Sequence, residues 1–475
     1  MISWLSLSNW WAGIGIGLLS SILIFRKPFL GLVLFTALIP LEEFTAINSS
    51  FTITKLFGAL TFIAWIFHLI KSKEKVKANN VFWVILLFFG WASLSSFWAI
   101  NKNLSLARIP MLIQLAGLYL ICINLIKTRK GLNLVLGSFL AGSIVASFIC
   151  LFNICTRPLW ILNPKDSTLL LFVSTCSSQW PNVFARVIGI GLLFSLLFLG
   201  ETKRWPQRIF LIVISSLFIL LITKVQQRGA WIVLPLAWLS QISLGKFRFK
   251  ETFFILLLIV FVIFVGLKTN FLPKGNHGIT NAALSIIDFN ATTHSAIKKI
   301  VTKFQELTKM KKMTPTILLN IPQRTEWGGR TYIWKVGWEI IKANPFLGVG
   351  LLNFGIAHDI YCLKLKSSGI VCQWGAGPHS DVVGITAETG IVGLLLFLFI
   401  FILTYQHIRK EGKSRTVIYA VILIGFIFAA GLSTTDHYRK FYWLALAISY
   451  LLPRLKTKAL ACKATVCERP IGTNA

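Results

Sequence analysis

Residues 328–355 have the sequence GGRTYIWKVGWEIIKANPFLGVGLLNFG, and residues 382–398 have the sequence VVGITAETGIVGLLLFL. His379, Ser380 and Asp381 lie directly before the second stretch, which is apolar enough to enter a membrane as a helix. Most of the remaining chain consists of apolar runs and short connectors. Because Arg, His, Asp, Trp and Gly are concentrated between two such runs, we predict that any chemistry takes place here.

The composition predicts a polytopic membrane protein. Of 475 residues, 55% are hydrophobic and only 13% are charged, and the mean hydropathy is +0.73. This is too apolar for an ordinary soluble enzyme. In lipid every backbone amide must be paired within its own segment, so the apolar runs are predicted to be helices. We therefore expect an all-α protein with about 12–13 transmembrane helices, at residues 10–25, 29–45, 55–70, 81–99, 109–126, 131–152, 183–200, 209–224, 230–245, 252–267, 383–405, 416–433 and 441–452.

The net charge of +32 does not indicate nucleic-acid binding, because the basic residues cluster between spans without a recognition motif. The positive-inside rule places these clusters in the cytoplasm and residues 268–382 outside, since a long segment translocates largely regardless of charge. Residues 296–313 are predicted to form a basic amphipathic helix, either on an anionic membrane surface or packed on the external domain. Four regions are predicted: helices 1–10 at 1–267, an external domain at 268–382, C-terminal spans at 383–452 and a basic tail at 453–475.

Two arginines at the external ends of helices are candidate anion ligands. Arg228 lies in QQRGAW and Arg330 in GGRTYIW. An arginine beside glycine at a helix N-terminus combines a guanidinium fork with free backbone amides. The alternatives are that Arg228 extends to lipid headgroups, and that Arg330 pairs with Glu326 or Asp359.

His379 is the candidate general base. It follows Gly377-Pro378, which ends helical geometry, and lies a few residues before a span. A neutral imidazole can accept a proton from a sugar hydroxyl while Asp381 or another carboxylate holds the ring. His358, His277 and His437 compete for this role.

Further polar residues lie at the external ends of other spans. Asn182 and Arg186 occur in WPNVFARVIG, and Asp436 and Arg439 in TTDHYRK. An arginine one turn inside hydrocarbon is unfavourable unless it faces a polar cavity, so for Arg186 we favour ligand binding over a structural role. The eight cysteines have no metal-ligand spacing such as CxxC, and no metal or cofactor is predicted. Disulfides between Cys155 and Cys176, or between Cys362 and Cys372, remain open.

The order of four elements resembles the membrane family of O-antigen ligases and O-antigen polymerases: RGAW (228–231), NPFLGVG (344–350), HSD (379–381) and AETGIVG (387–393). The resemblance covers about residues 220–405. It implies a metal-independent glycosyltransferase of the GT-C type that takes its glycan from a polyprenyl-diphosphate carrier at the periplasmic face of a bacterial inner membrane. It also implies that Arg228 and Arg330 bind the diphosphate and that His379 activates the acceptor hydroxyl. Ser380 stands where that family often has Asn.

Several functions remain open. A ligase and a polysaccharide polymerase share the donor and differ in the acceptor, which is a lipid core or a growing glycan, and protein O-glycosylation would differ again by acceptor. A transporter or flippase for lipid-linked sugars would use the same arginines to line a path. Transporters usually contain internal repeats with matching broken helices, and the sequence shows neither.

Overall fold

The computed structural model of the chain describes residues 20–42, 44–45, 52–156, 160–162, 169–171, 181–224, 232–233, 235–236, 326–365, 375–412 and 414–455. The chain divides into two compact units, Met1–Ile255 with Tyr332–Ala475, and Leu256–Thr331. Arg228, His277 and the predicted amphipathic helix at 296–313 lie outside the described residues, as do most of residues 268–382, so the external position of that segment stays a prediction.

The described chain is almost entirely helical. The helices are α1 Pro28–Leu38, α2 Ile53–Ser72, α3 Asn80–Leu94, α4 Lys102–Leu106, α5 Ile109–Leu125, α6 Arg129–Thr156, α7 Pro181–Glu201, α8 Trp205–Lys224, α9 Glu326–Ala343, α10 Phe354–Leu365, α11 Asp381–Lys410, α12 Arg415–Gly431 and α13 Lys440–Arg454, with short 3-10 turns at Ile39–Leu41 and Ser95–Phe97. Two three-residue strands, Trp160–Leu162 and Leu169–Leu171, pair antiparallel.

The predicted fold class is confirmed: the protein is an all-α, multi-pass membrane protein. Among the described residues, seven helices are long and apolar enough to cross a membrane, and two shorter apolar helices accompany them. The predicted spans at 10–25, 230–245 and 252–267 fall mainly or wholly outside the described residues. Side chains such as Phe67 (64% exposed) and Ile70 (71% exposed) face outward, as expected where lipid replaces water.

Helix starts follow from local sequence. The side chains of Asn79, Ser380 and Ser414 each accept a hydrogen bond from the backbone N–H three residues later and so cap α3, α11 and α12. Within the spans, the hydroxyls of Ser143 and Ser147 donate to the carbonyl four residues back, so these two side chains are satisfied by their own helix.

Helix α11 departs from the sequence prediction, which made residues 383–405 one continuous span. At Gly390 the backbone has φ 69° and ψ −174° and the helix is interrupted. The Ile391 N–H donates to Pro345 O at 2.8 Å, and the Trp91 indole N–H donates to Thr389 O at 2.8 Å. Backbone groups released by the interruption therefore bond to other parts of the chain, as an apolar environment requires.

The loop after α9 supplies two more of these bonds. The Val349 N–H donates to Ala387 O and the Gly350 N–H to Glu388 O, each at 2.9 Å. Gly348 has φ +68°, and a Cβ there would overlap the backbone of Glu388. The loop can approach α11 this closely only because glycine stands at that position. The NPFLGVG and AETGIVG elements are thus in direct backbone contact.

Replacing Gly390 by alanine should destabilise the protein. Alanine at φ 69° is unfavourable by about 1–3 kcal/mol, and its Cβ would also overlap Phe346 O. Gly425→Ala is the matched control, because Gly425 lies within α12 with open space around it and alanine favours a helix interior by about 0.5–1 kcal/mol over glycine. We expect a lower apparent Tm for Gly390→Ala in detergent and an equal or higher Tm for Gly425→Ala. Equal Tm values for Gly390→Ala and the wild type would contradict the interrupted helix.

Candidate active site

His379 lies in the connection that leads into α11. It is half-buried and adopts φ +47°, a conformation uncommon for residues other than glycine and often found at functional sites. On one side, Ser380 caps α11 and accepts from the Val383 N–H at 3.5 Å. On the other side, the Trp334 indole N–H donates to Pro378 O at 3.0 Å. The backbone around His379 is therefore held from both directions.

Helix α9 packs on the first turn of α11. A Cβ added to Gly337 would lie 2.8 Å from a Val383 methyl, so the two helices are in close contact there. The buried side of α9 belongs to one apolar cluster, which contains Ile333, Val336, Ile340, Val349, Phe354 and Ala357. The helical stretch predicted before Asn344-Pro345 is confirmed, and α9 ends at Ala343.

Of the three arginines predicted to bind the diphosphate, Arg228, Arg330 and Arg186, the structure describes two: Arg330 is half-buried on α9, and Arg186 is buried on α7. Asp359, one carboxylate that the sequence offered as its partner, accepts the Gly375 N–H with both oxygens at 2.8 and 3.1 Å. The position of Arg228 lies outside the described residues, so the convergence of both arginines with His379 stays a prediction.

Asp381 is engaged by the connection between α12 and α13. It is 2% exposed, and its Oδ1 accepts the backbone N–H groups of Asp436 at 2.7 Å and His437 at 3.2 Å. The same Oδ1 lies 2.7 Å from Nδ1 of the His437 ring. Because a carboxylate oxygen accepts, the ring nitrogen donates. The imidazole that contacts this carboxylate is thus that of His437.

Asp436 and Arg186 form a buried ion pair. Arg186 Nη1 lies 2.6 Å from Asp436 Oδ1, the two residues are 2% and 1% exposed, and the Thr434 hydroxyl donates to Asp436 Oδ2 at 3.1 Å. Burial raises the pKa of Asp436, while the Arg186 guanidinium opposes that rise. The sequence predicted that Arg186 faces a polar cavity and binds a ligand; in the structure its charge is compensated by Asp436, and ligand binding by Arg186 stays a prediction. Asn182, one turn earlier on α7, is half-buried.

Glu388 is a polar residue of the site that sequence reasoning missed. It is 4% exposed, and its Oε2 accepts the Leu352 N–H at 2.9 Å and the Tyr438 hydroxyl at 2.6 Å. Burial is the main cause that raises the pKa of Tyr438, so the phenol stays protonated and donates. A carboxylate inside an apolar run was the available signal, since such residues are usually functional or paired.

Two cavities adjoin these residues. One, of only about 10 Å³, is bounded by Glu388, His437 and Tyr438 together with apolar side chains. The other, of about 30 Å³, lies where the 3-10 turn after α1, the start of α7 and the start of α13 meet, and Glu42 and Arg439 line it. No group of three or more His, Cys, Asp or Glu suited to a metal occurs in the part of the chain that the structure describes.

The cysteine predictions are resolved only in part. Cys362 on α10 and Cys150 on α6 are each disulfide-bonded. Cys122 is a buried free thiol. Cys176 and Cys372 lie outside the described residues.

The fold and these contacts define a polytopic membrane protein with a polar site where several helices begin. Residues 210–398 match the protein family described as O-Antigen ligase, which confirms over this segment the resemblance predicted from the sequence. The matched segment contains the NPFLGVG loop, His379 and the interruption at Gly390. This segment of the chain is therefore similar to O-antigen ligases.

Two curated proteins are similar to parts of the chain. An O-antigen ligase of Pseudomonas aeruginosa is 28% identical over 130 residues, which cover 26% of this chain and 30% of that protein. A protoheme IX farnesyltransferase of Ruthia magnifica is 25% identical over 225 residues, which cover 44% of this chain and 73% of that protein. The chain thus matches less than a third of the length of the O-antigen ligase.

Removing one member of the Arg186–Asp436 pair should destabilise the protein strongly. Arg186→Met leaves a buried carboxylate without its cation, which typically costs about 3–5 kcal/mol. The double variant Arg186→Met/Asp436→Leu should be more stable than Arg186→Met alone, because no uncompensated charge remains. The measurement is the apparent Tm of each purified variant.

The exposed pair Lys127–Glu74 provides the control. Its nitrogen and oxygen are 2.7 Å apart, but the side chains are 55% and 47% exposed, so Lys127→Met should change stability by about 1 kcal/mol or less. If Arg186→Met and Lys127→Met lowered the Tm equally, the account of the buried pair would be wrong.

Proposed function

We propose that this protein transfers a glycan from a polyprenyl-diphosphate carrier to an acceptor hydroxyl at the periplasmic face of a bacterial inner membrane. The main support is the contact between NPFLGVG and AETGIVG. Both lie within the segment that matches the O-Antigen ligase family, they bond to each other through backbone groups, and they adjoin the helix start that carries His379. One similar protein, from Pseudomonas aeruginosa, is named as an O-antigen ligase, and this similarity favours a ligase over a polymerase.

His379 is proposed as the general base. Its backbone is restrained on both sides by Trp334 and by the Ser380 cap, and its side chain is half-buried, so substrate can reach it. The imidazole would accept the proton of the acceptor hydroxyl as the oxygen attacks the anomeric carbon. A positioned base typically contributes about 10²- to 10⁴-fold in rate.

Arginines are proposed to hold the leaving diphosphate. The group is charged before reaction, and guanidinium groups supply paired donors that do not lose their proton. Arg228 and Arg330 are assigned to this role, with Arg186 as a third, more deeply buried cation whose Nη1 is held by Asp436. In this proposal no metal ion takes part. Displacement in one step would invert the donor's anomeric configuration.

The alternative functions differ in the product that they form, so identification of the product distinguishes them. A polymerase would extend the lipid-linked glycan itself, and protein O-glycosylation would modify a polypeptide. A flippase would move the donor without forming a product. The other relative is a farnesyltransferase by name, so transfer of a prenyl group instead of a glycan is a further outcome that product mass would reveal.

Replacing His379 by alanine should abolish all but a small residual rate of transfer. Purified protein is reconstituted in vesicles with lipid-linked glycan and candidate acceptors, and products are identified by mass, with NMR of the new linkage. We expect transfer to fall by about 10² or more for His379→Ala, because no base remains at the acceptor. The matched control is His68→Ala, since His68 is exposed on α2 and should be dispensable.

Two results would contradict the proposal. Product of normal yield and length from His379→Ala would remove His379 from the mechanism. Retention of the donor's anomeric configuration in the wild-type product would reject one-step inversion. Equal Tm values for both variants and the wild type ensure that a loss of activity reflects chemistry rather than folding.

A further inference from the structure

We propose that His437 is a positioning residue, which acts through Asp381 to fix the start of α11 and thereby the placement of His379. The inference rests on the proposed function, because it concerns the geometry of the base named there. His437 does not need to touch substrate in this role. The His437 residue lies in the connection between α12 and α13 and is 1% exposed.

The contact between the two segments is specific. Oδ1 of Asp381 accepts from the His437 ring at 2.7 Å and from two backbone N–H groups of the same connection. Asp381 is the first residue of α11 and stands two positions after His379. A Cβ on Gly431 would meet the Asp381 carboxylate, so the end of α12 also closes on this side chain. The carboxylate is thus enclosed by the connection and has little freedom to turn.

The connection that holds Asp381 is itself anchored to the bundle. Asp436 is paired with Arg186 of α7, and the Trp443 indole N–H of α13 donates to His437 O at 2.7 Å. The His437 ring also contacts the Tyr438 ring, with centroids 3.8 Å apart. Residues of α7 and α13 therefore both contact the connection between α12 and α13, and that connection donates hydrogen bonds to Asp381, the first residue of α11.

Because of this arrangement, we expect loss of the His437 side chain to lower the rate of transfer more than it weakens substrate binding. Because only Ser380 separates His379 from Asp381, rotation of the first turn of α11 would displace the imidazole directly. A displacement of about 1 Å can reduce a rate about 10²-fold. Loss of the His437 ring removes the side-chain donor to Asp381 and leaves only backbone donors, which should loosen this turn without removing any group from the substrate.

The test compares His437→Ala with His437→Asn in the reconstituted transfer reaction. The Asn amide can place an N–H close to the position of Nδ1, whereas Ala cannot. We expect His437→Ala to lower kcat by about 10- to 100-fold with an unchanged KM for the donor, and His437→Asn to recover most of the loss. Asp381→Asn, which keeps an oxygen for the backbone donors, is the second variant in case His437→Ala does not fold.

A double variant separates positioning from a general structural role. If His437 acts only through His379, then His379→Ala/His437→Ala should be no slower than His379→Ala alone. A further fall in the double variant, an unchanged kcat in folded His437→Ala, or no recovery with Asn would overturn the inference. Inactive His379→Ala together with fully active His437→Ala and Asp381→Asn would reject the inference while leaving the proposed function intact. Active His379→Ala would reject both.

Discussion

The structure depends on the hydrogen bonds that pair the backbone groups released where α11 is interrupted at Gly390. Nine residues after its start, about 14 Å along the helix axis, the backbone turns to φ 69° and ψ −174° within a segment long and apolar enough to span a membrane. Unpaired amides and carbonyls are strongly unfavourable there. The loop at 345–350 bonds to both sides of the interruption, so the loop and the helix specify each other.

The second feature that organises the site is a set of buried polar contacts where α7, α11 and α13 begin. Arg186, Asp436, His437 and Asp381 form a continuous series of contacts, with each charge compensated by a partner or by backbone donors. A separate hydrogen bond joins Glu388 of α11 to Tyr438, which lies in the connection between α12 and α13. These interactions leave His379 half-buried beside a well-anchored region, and a firmly held backbone is what the proposed general base would require.

Local sequence was sufficient for the fold class and for most helices, because apolar runs of membrane length have few alternatives. The end of α9 before Asn344-Pro345 was also predictable, since proline restricts the residue before it. The interruption at Gly390 was not, because a glycine in an apolar run is compatible with a continuous helix unless a distant segment bonds to it. Likewise, Arg186 and Asp436 are 250 positions apart, and no pattern within either segment indicates the other. Sequence reasoning therefore identified His379 and Asp381 as neighbours but could not show that Asp381 contacts His437.

Amide hydrogen exchange of residues 346–353 tests the central claim most directly. The N–H groups of Val349 and Gly350 donate to carbonyls of α11, so this loop should exchange as slowly as α12, although it lacks regular secondary structure. The exposed connector around Lys75 gives the rate for an unprotected segment in the same protein. Exchange in 346–353 as fast as in that connector would contradict the account, because the loop would then not be bonded into the interrupted helix.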